Sequence, residues 1–141
     1  MHVSVNGARL FFDVEGTKLV PDGPRMREKP TLVLLHGGPG FDHSIYRPAY
    51  SALADLAQII YLDHLGNGRS EDGPQHSWNL AQWGDDVYAF CQTLGIEKPI
   101  VLGTSFGGMV ALVPTFRSSC YIAARPFTKF GKSWALANSG L

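Results

Sequence analysis

The residue of this chain best suited to nucleophilic chemistry is a serine framed by glycines, Gly103-Thr104-Ser105-Phe106-Gly107. It follows the apolar run Pro99-Ile100-Val101-Leu102 and precedes Gly108-Met109-Val110-Ala111-Leu112, so a tight turn from a buried strand into a helix is expected around it. On such a turn the hydroxyl projects beyond the carboxyl end of the strand, and the flanking glycines leave space that a Cβ would fill. The helix that begins there turns its N-terminus toward the site, which favours developing negative charge. The Phe106 N–H is expected to donate to an oxyanion. A second string, His36-Gly37-Gly38-Pro39-Gly40, follows the apolar run Thr31-Leu32-Val33-Leu34-Leu35. Its glycines let the chain turn sharply and expose backbone N–H groups, and Gly38 is expected to be the second oxyanion donor. Together these groups would carry out attack of a serine hydroxyl on a carbonyl carbon, with the tetrahedral oxyanion held by two backbone N–H groups.

Other chemistry-bearing residues read differently. His36 precedes the serine on a different strand end and is expected to be a buried histidine that shapes its loop rather than a general base. His64 is expected to be a loop residue, and Asp85-Asp86 a solvated pair on the polar side of a helix. Gly66-x-Gly68 lacks the third glycine opening a helix that a dinucleotide fingerprint needs. Trp78, Trp83 and Trp134 read as core or surface aromatics. Cys91 and Cys120 are isolated thiols without zinc-ligand spacing, so no metal and no organic cofactor is expected.

The elements that must position Ser105 and Gly38 follow from periodicity. Asn6-Gly7 suits a two-residue hairpin turn between Val3-Ser4-Val5 and the segment from Ala8 to Val14. Glu15 to Pro30, with Gly16, Pro21, Gly23, Pro24 and Pro30, reads as a loop. Residues 31–35 and Gln58 to Leu62 read as strands buried on both faces, and Pro99 to Leu102 as a third. Ser44 to Leu56 reads as a weak helix interrupted by Pro48. Leu80, Trp83, Val87, Phe90 or Cys91, and Leu94 recur at helical spacing, with Asn79 as N-cap and Gly95 as the stop. The order hairpin, strand, helix, strand, helix, strand, helix predicts an α/β fold with an antiparallel edge on a parallel sheet and helices on both faces.

Composition limits the partners. The chain has 141 residues, 45% hydrophobic and 17% charged, which suits one globular domain. Its net charge of zero gives no electrostatic case for nucleic acid or an anionic membrane. The absence of a signal-like N-terminus or an apolar run near 20 residues points to a cytoplasmic protein. Charge is unevenly spread, since all 12 acidic residues lie at or before Glu97. Residues 1–105 carry 8 basic groups against those 12, net −4, and the remainder carries Arg117, Arg125, Lys129 and Lys132. Residues 113–141 therefore read as an atypical tail, in which Pro114 would break the helix begun at Met109. The expectation is a chain truncated, or altered by a frameshift, near residue 113.

The stretches His36–Gly40, Asp63–Ser70 and Gly103–Gly108, in this order and spacing, resemble the proline iminopeptidase branch of the α/β-hydrolases. The resemblance covers residues 1 to about 112, and its most specific part, His-Gly-Gly-Pro-Gly, is shared with amidases and esterases of the same branch. It implies the N-terminal portion of an α/β-hydrolase fold. It also implies Ser105 as nucleophile, Gly38 and Phe106 as the oxyanion hole, and release of N-terminal proline from a small peptide; an ester or lactone substrate is the alternative. Where the family's loop reads Asp-x-Arg-Gly, this chain has Asp63-His64-Leu65-Gly66, which questions stability more than chemistry. The family places its acid and histidine after the serine, and here no Asp, Glu or His follows Ser105. Without an adjacent base a serine is a weak nucleophile, so this chain is expected to be a poor catalyst by itself. Two further readings are a non-catalytic binding domain, disfavoured because half a sheet leaves an unpaired edge strand, and assembly with a second chain that supplies the missing groups.

Overall fold

The computed structural model describes residues 1–113 and the backbone of Tyr121–Arg125 and Ala135–Asn138. Pro114, Cys120 and Trp134 lie outside the described residues. The Asn6-Gly7 turn forms as expected: both residues take positive φ, 49° and 82°, and join β1 (His2–Val5) to β2 (Ala8–Glu15). The two short apolar runs become β5 (Thr31–Leu35) and β6 (Gln58–Leu62), and the third becomes β7 (Ile100–Thr104).

Among the described residues the main sheet has seven strands in the order β1-β2-β6-β5-β7-β8-β9, where β8 is Tyr121–Arg125 and β9 is Ala135–Asn138. β6, β5, β7 and β8 run parallel to one another, while β2 pairs antiparallel with β6 and β9 antiparallel with β8. The expected α/β architecture with an antiparallel edge is therefore present. On its far side β7 pairs with β8.

Among the described residues two α-helices pack on the sheet, α1 (Leu80–Thr93) and α2 (Phe106–Ala111). α1 opens as its sequence dictates, with the Asn79 side chain accepting from the Gln82 N–H, and Gly95 follows its end at φ 63°. Trp83, Val87, Phe90 and Cys91 pack with Phe106, Val110 and Ala111 of α2 on Val33, Leu35, Ile60, Leu62 and Val101 of the sheet. Leu80 and Leu94, expected on this face, are instead 40% and 38% exposed at the helix ends. Side chains alternate across a strand, so Leu32, Leu34, Ile59 and Tyr61 face the other way, onto Tyr46 and Ala57.

Three expectations need correction. Residues 15–30 hold a second hairpin, β3 (Leu19–Asp22) with β4 (Arg25–Glu28), which turns at Gly23 with φ 62°. The turn needs only a glycine at a positive φ, and its flanking residues are almost all exposed, so no apolar alternation marks the strands. Ser44 to Leu56 is not an α-helix but two 3-10 turns, His43–Tyr46 and Ser51–Leu53. Pro48 cannot supply the N–H that a continuous helix requires. As a result, both described helices lie on one face of the sheet, and the 3-10 segment covers the other.

Candidate active site

Ser105 has φ 52° and ψ −119°, a left-handed region that a non-glycine residue enters only under constraint. The constraint is packing. A Cβ on Gly103 would run into the Gly107 carbonyl, and one on Gly107 would run into the Leu35 carbonyl and lie 2.5 Å from that of His36. The first turn of α2 is thus pressed onto the end of β5, and only glycine fits on either side of the serine. Ser105 occupies the N-cap of α2, but its side chain makes no capping bond, and the residue is half-buried. The Phe106 N–H is among the first of the helix, where no intrahelical acceptor exists.

The glycine string after β5 comes to the same place. A Cβ on Gly37 would lie 3.5 Å from Ser105 Cβ, so the two motifs singled out in the sequence are direct neighbours. Gly38 has φ 123°, another conformation that favours glycine. His36 is fully buried, and its roles follow from its partners. The His64 backbone N–H donates to His36 Nε2 at 3.2 Å, so Nδ1 carries the ring proton and donates to the Gly37 carbonyl at 2.6 Å. Burial pushes the His36 pKa below its ordinary value, in keeping with this neutral ring. The Gly37–Gly38 peptide is planar, so a carbonyl drawn toward His36 turns the Gly38 N–H to the opposite side. This is how the buried loop-shaping histidine expected at position 36 acts.

His64 is not a plain loop residue. It is 2% exposed, its ring lies 4.6 Å from His36 and 5.5 Å, edge-on, from Phe106, and burial holds its pKa well below the usual imidazole range. Trp83 also meets Phe106 edge-on, with ring centroids 4.8 Å apart. Behind Ser105, Tyr46 donates its hydroxyl to the Leu35 carbonyl at 2.6 Å and lies 2.9 Å from Thr104 Oγ1. Burial pushes its pKa up to about 12.

The loop after β6 braces the glycine string from the far side. Asp63, fully buried, accepts from the His43 backbone N–H at 2.7 Å, from His43 Nδ1 at 2.8 Å and from the Arg69 N–H at 3.0 Å. Asn67 Oδ1 accepts from the Gly40 N–H at 2.7 Å, and Asn67 Nδ2 donates to the Leu65 carbonyl. Ser70 Oγ accepts from the Phe11 N–H at 2.8 Å and donates to the Asp63 carbonyl. Leu65, which stands where the resembling family carries arginine, is 3% exposed and joins the core under α1. The loop here is tied by packing and by the Trp83 indole N–H, which donates to the Leu65 carbonyl at 2.9 Å.

Sequence reasoning missed Tyr46, His43 and Asn67. No local pattern marks them, since each acts on a segment 11 to 58 residues away. Asp86, expected in solvent, is 4% exposed. Among the described residues no group of three or more His, Cys, Asp or Glu is arranged to hold a metal ion, and no helix is long and apolar enough to cross a membrane.

A strained serine between close-packed glycines, at the carboxyl edge of a parallel sheet, defines a class of protein. A sequence profile described as alpha/beta hydrolase fold matches residues 30–113, and the chain belongs to that family. Within it, the chain is like the N-terminal portion of proline iminopeptidases. It is 39% identical over 93 residues to the proline iminopeptidase of Lactobacillus helveticus, a match covering 61% of this chain and 30% of that protein. The proline iminopeptidase-related protein of Thermus thermophilus superposes with a TM-score of 0.68 at 29% identity, covering 79% of this chain and 38% of that one. The enol-lactonase of Burkholderia xenovorans superposes at 0.67 and 28% identity, covering 79% and 39%. The chain thus spans about a third of the length of these relatives.

Proposed function

We propose that this chain supplies the nucleophile and the oxyanion hole of a cytoplasmic serine hydrolase that releases N-terminal proline from small peptides. The observation that carries the reading is Ser105 itself, strained at φ 52° with an uncommitted side chain and with Gly37 packed against it. In this reading Ser105 Oγ adds to the substrate carbonyl carbon, and the Gly38 and Phe106 N–H groups receive the negative charge that develops on the oxygen. Each such donor is worth about 2.7–4 kcal/mol of transition-state stabilisation. Collapse of the intermediate expels the amine, which takes the proton that the base removed from Ser105, and leaves an acyl-serine, which water then hydrolyses to free the Ser105 hydroxyl.

Removal of the Ser105 proton requires a base. His36 uses both ring nitrogens in holding its loop, His43 Nδ1 is bound to Asp63, and no described histidine hydrogen-bonds to Ser105. The base and the carboxylate that orients it therefore lie outside the described residues, and none of residues 106–141 is Asp, Glu or His. Residues 1–112 act in this reading as the N-terminal part of the hydrolase core, and turnover by the chain alone is slow.

Proline specificity rests on the likeness to proline iminopeptidases. An ester or lactone substrate is the second reading, favoured by the fit to the enol-lactonase. A fluorophosphonate probe tests the nucleophile: slow labelling of the wild-type chain over long exposure and none of Ser105→Ala is expected, and equal labelling of both would sink the assignment. Turnover of a proline arylamide, measured against a short-chain p-nitrophenyl ester and corrected for Ser105→Ala, decides between the substrates. Ester turnover without arylamide turnover would replace the peptidase reading with the second.

A further inference from the structure

Away from Ser105, a cavity of about 270 Å³ opens between the β1–β2 turn, the segment around residues 71–77 and the first turns of α1. Asn6, Glu71, His76, Ser77, Gln82 and Asp86 contribute its polar walls. Asp86 is 4% exposed, and its two oxygens are treated unequally. Oδ1 accepts from Asn6 Nδ2 and from Gln82 Nε2, each at 2.8 Å. Oδ2 is buried and has no hydrogen-bond partner among the described residues. Both donors on Oδ1 are neutral amides, and no lysine or arginine lines the cavity among the described residues. A buried carboxylate with one oxygen unmatched is costly unless a donor, best of all a charged one, reaches it.

We propose that this cavity is a binding site for a small primary alkylammonium, whose N–H donates to Asp86 Oδ2. The charge required is positive, because Asp86 is a buried carboxylate whose donors are neutral amides, whereas Glu71 on the wall is already paired with Arg9. The shape required is a point donor rather than a fork. A guanidinium pairs best by engaging both carboxylate oxygens at once, and here Oδ1 is already held by two amides. Only Oδ2 remains, which suits the compact, rotatable donors of an ammonium. Size limits the ligand too, since 270 Å³ lies below the usual range of pockets for drug-sized molecules. The site joins the hairpin turn to α1 through the Asn6–Asp86 bond, so occupancy ties the first strand pair to the helix that covers the core.

The test is titration of the 141-residue chain with methylammonium chloride at fixed ionic strength, read by the side-chain carboxyl ¹³C resonance of Asp86. Tetramethylammonium, which carries the same charge without an N–H, and guanidinium serve as competitors of different shape. A saturable shift with methylammonium, at least tenfold weaker with either competitor, is expected. Asp86→Asn should weaken binding at least tenfold, as read by the methylammonium methyl signal. Equal response to methylammonium and tetramethylammonium would overturn the proposal, because charge alone would then explain it. No saturable shift would overturn it as well, and would leave Oδ2 to an ordered water. The wild-type titration stands by itself if Asp86→Asn fails to fold.

Discussion

The serine turn and the Asp63 loop flank the same glycine string at the carboxyl edge of the sheet, yet they are held by opposite means. Around Ser105 the backbone is fixed by what cannot fit: any Cβ at Gly103 or Gly107 collides with a carbonyl of the neighbouring turn or strand. Around Asp63 the backbone is fixed by what must be satisfied: one buried carboxylate takes three N–H donors, and Asn67 and Ser70 reach across to Gly40 and Phe11. The first kind of constraint is steric and local. The second is polar and spans distant parts of the chain. The difference predicts how each region fails.

The largest effect is expected at the steric site. Gly107→Ala should cost more than about 4 kcal/mol or prevent folding, since the new Cβ has only backbone to displace. Gly37→Ala, whose Cβ would make ordinary contacts at 3.4–3.5 Å, should cost under about 1 kcal/mol. Urea unfolding of both variants measures the contrast, and similar costs would remove the steric account of the serine turn.

Next comes the polar site. Asp63→Ala leaves the buried His43 and the Arg69 N–H without their acceptor and should cost about 3–5 kcal/mol in the same assay. A cost under about 1 kcal/mol would mean that the loop is held by packing alone.

His36 lies between the two regions and answers to both. His36→Leu strands the Gly37 carbonyl and the His64 N–H, at about 1–3 kcal/mol for each group left unpaired. His36→Asn can still donate to the Gly37 carbonyl and should recover part of that loss. It should also keep the Gly38 amide resonance near its wild-type position, which a purely space-filling role for His36 would not do. The same histidines set a pH dependence. Burial lowers the pKa of His36 and of His64 in the folded chain, so the unfolded chain binds more protons as the solution is acidified. Stability from this source is complete above the ordinary imidazole value of 6.5 and is lost as pH falls below it toward the folded values. Thermal unfolding between about pH 8 and pH 5 should show a falling midpoint, and the fall should be smaller in His36→Asn.

Among the polar contacts the smallest effect is expected at Tyr46. Tyr46→Phe removes its bonds to the Leu35 carbonyl and Thr104 and should cost about 1 kcal/mol. Its phenol has an ordinary pKa of 10.0, raised to about 12 in the fold, so its contribution is present below pH 10 and is lost as pH rises toward 12. A Tyr46→Phe chain as alkali-sensitive as wild type in that window would rule this out.

Much of the fold was legible because its signals are short-range. The hairpin at Asn6-Gly7, the fully apolar runs of β5 and β6 and the cap at Asn79 each depend on residues within a few positions of one another. The β3–β4 hairpin escaped notice because its strands face solvent on both sides and carry no alternation. The 3-10 segment misled because Ser44 to Leu56 has helical composition, and only Pro48 hinted that a helix could not run through it. Asp86 escaped because Asn6 lies 80 residues away, and no spacing rule connects a hairpin turn to the inner face of a helix.

The sequence by itself determined the serine turn, the glycine string that meets it and the strands that end there. Glycine at a crowded position and an unbroken apolar run each admit few backbone solutions. Only the tertiary structure decided which histidine proton points at Gly37, which carboxylate is buried, and that Tyr46 and Asp63 brace the two sides of the site. Those outcomes depend on which donors and acceptors the fold brings within about 3 Å of each other, and the chain order does not encode that distance.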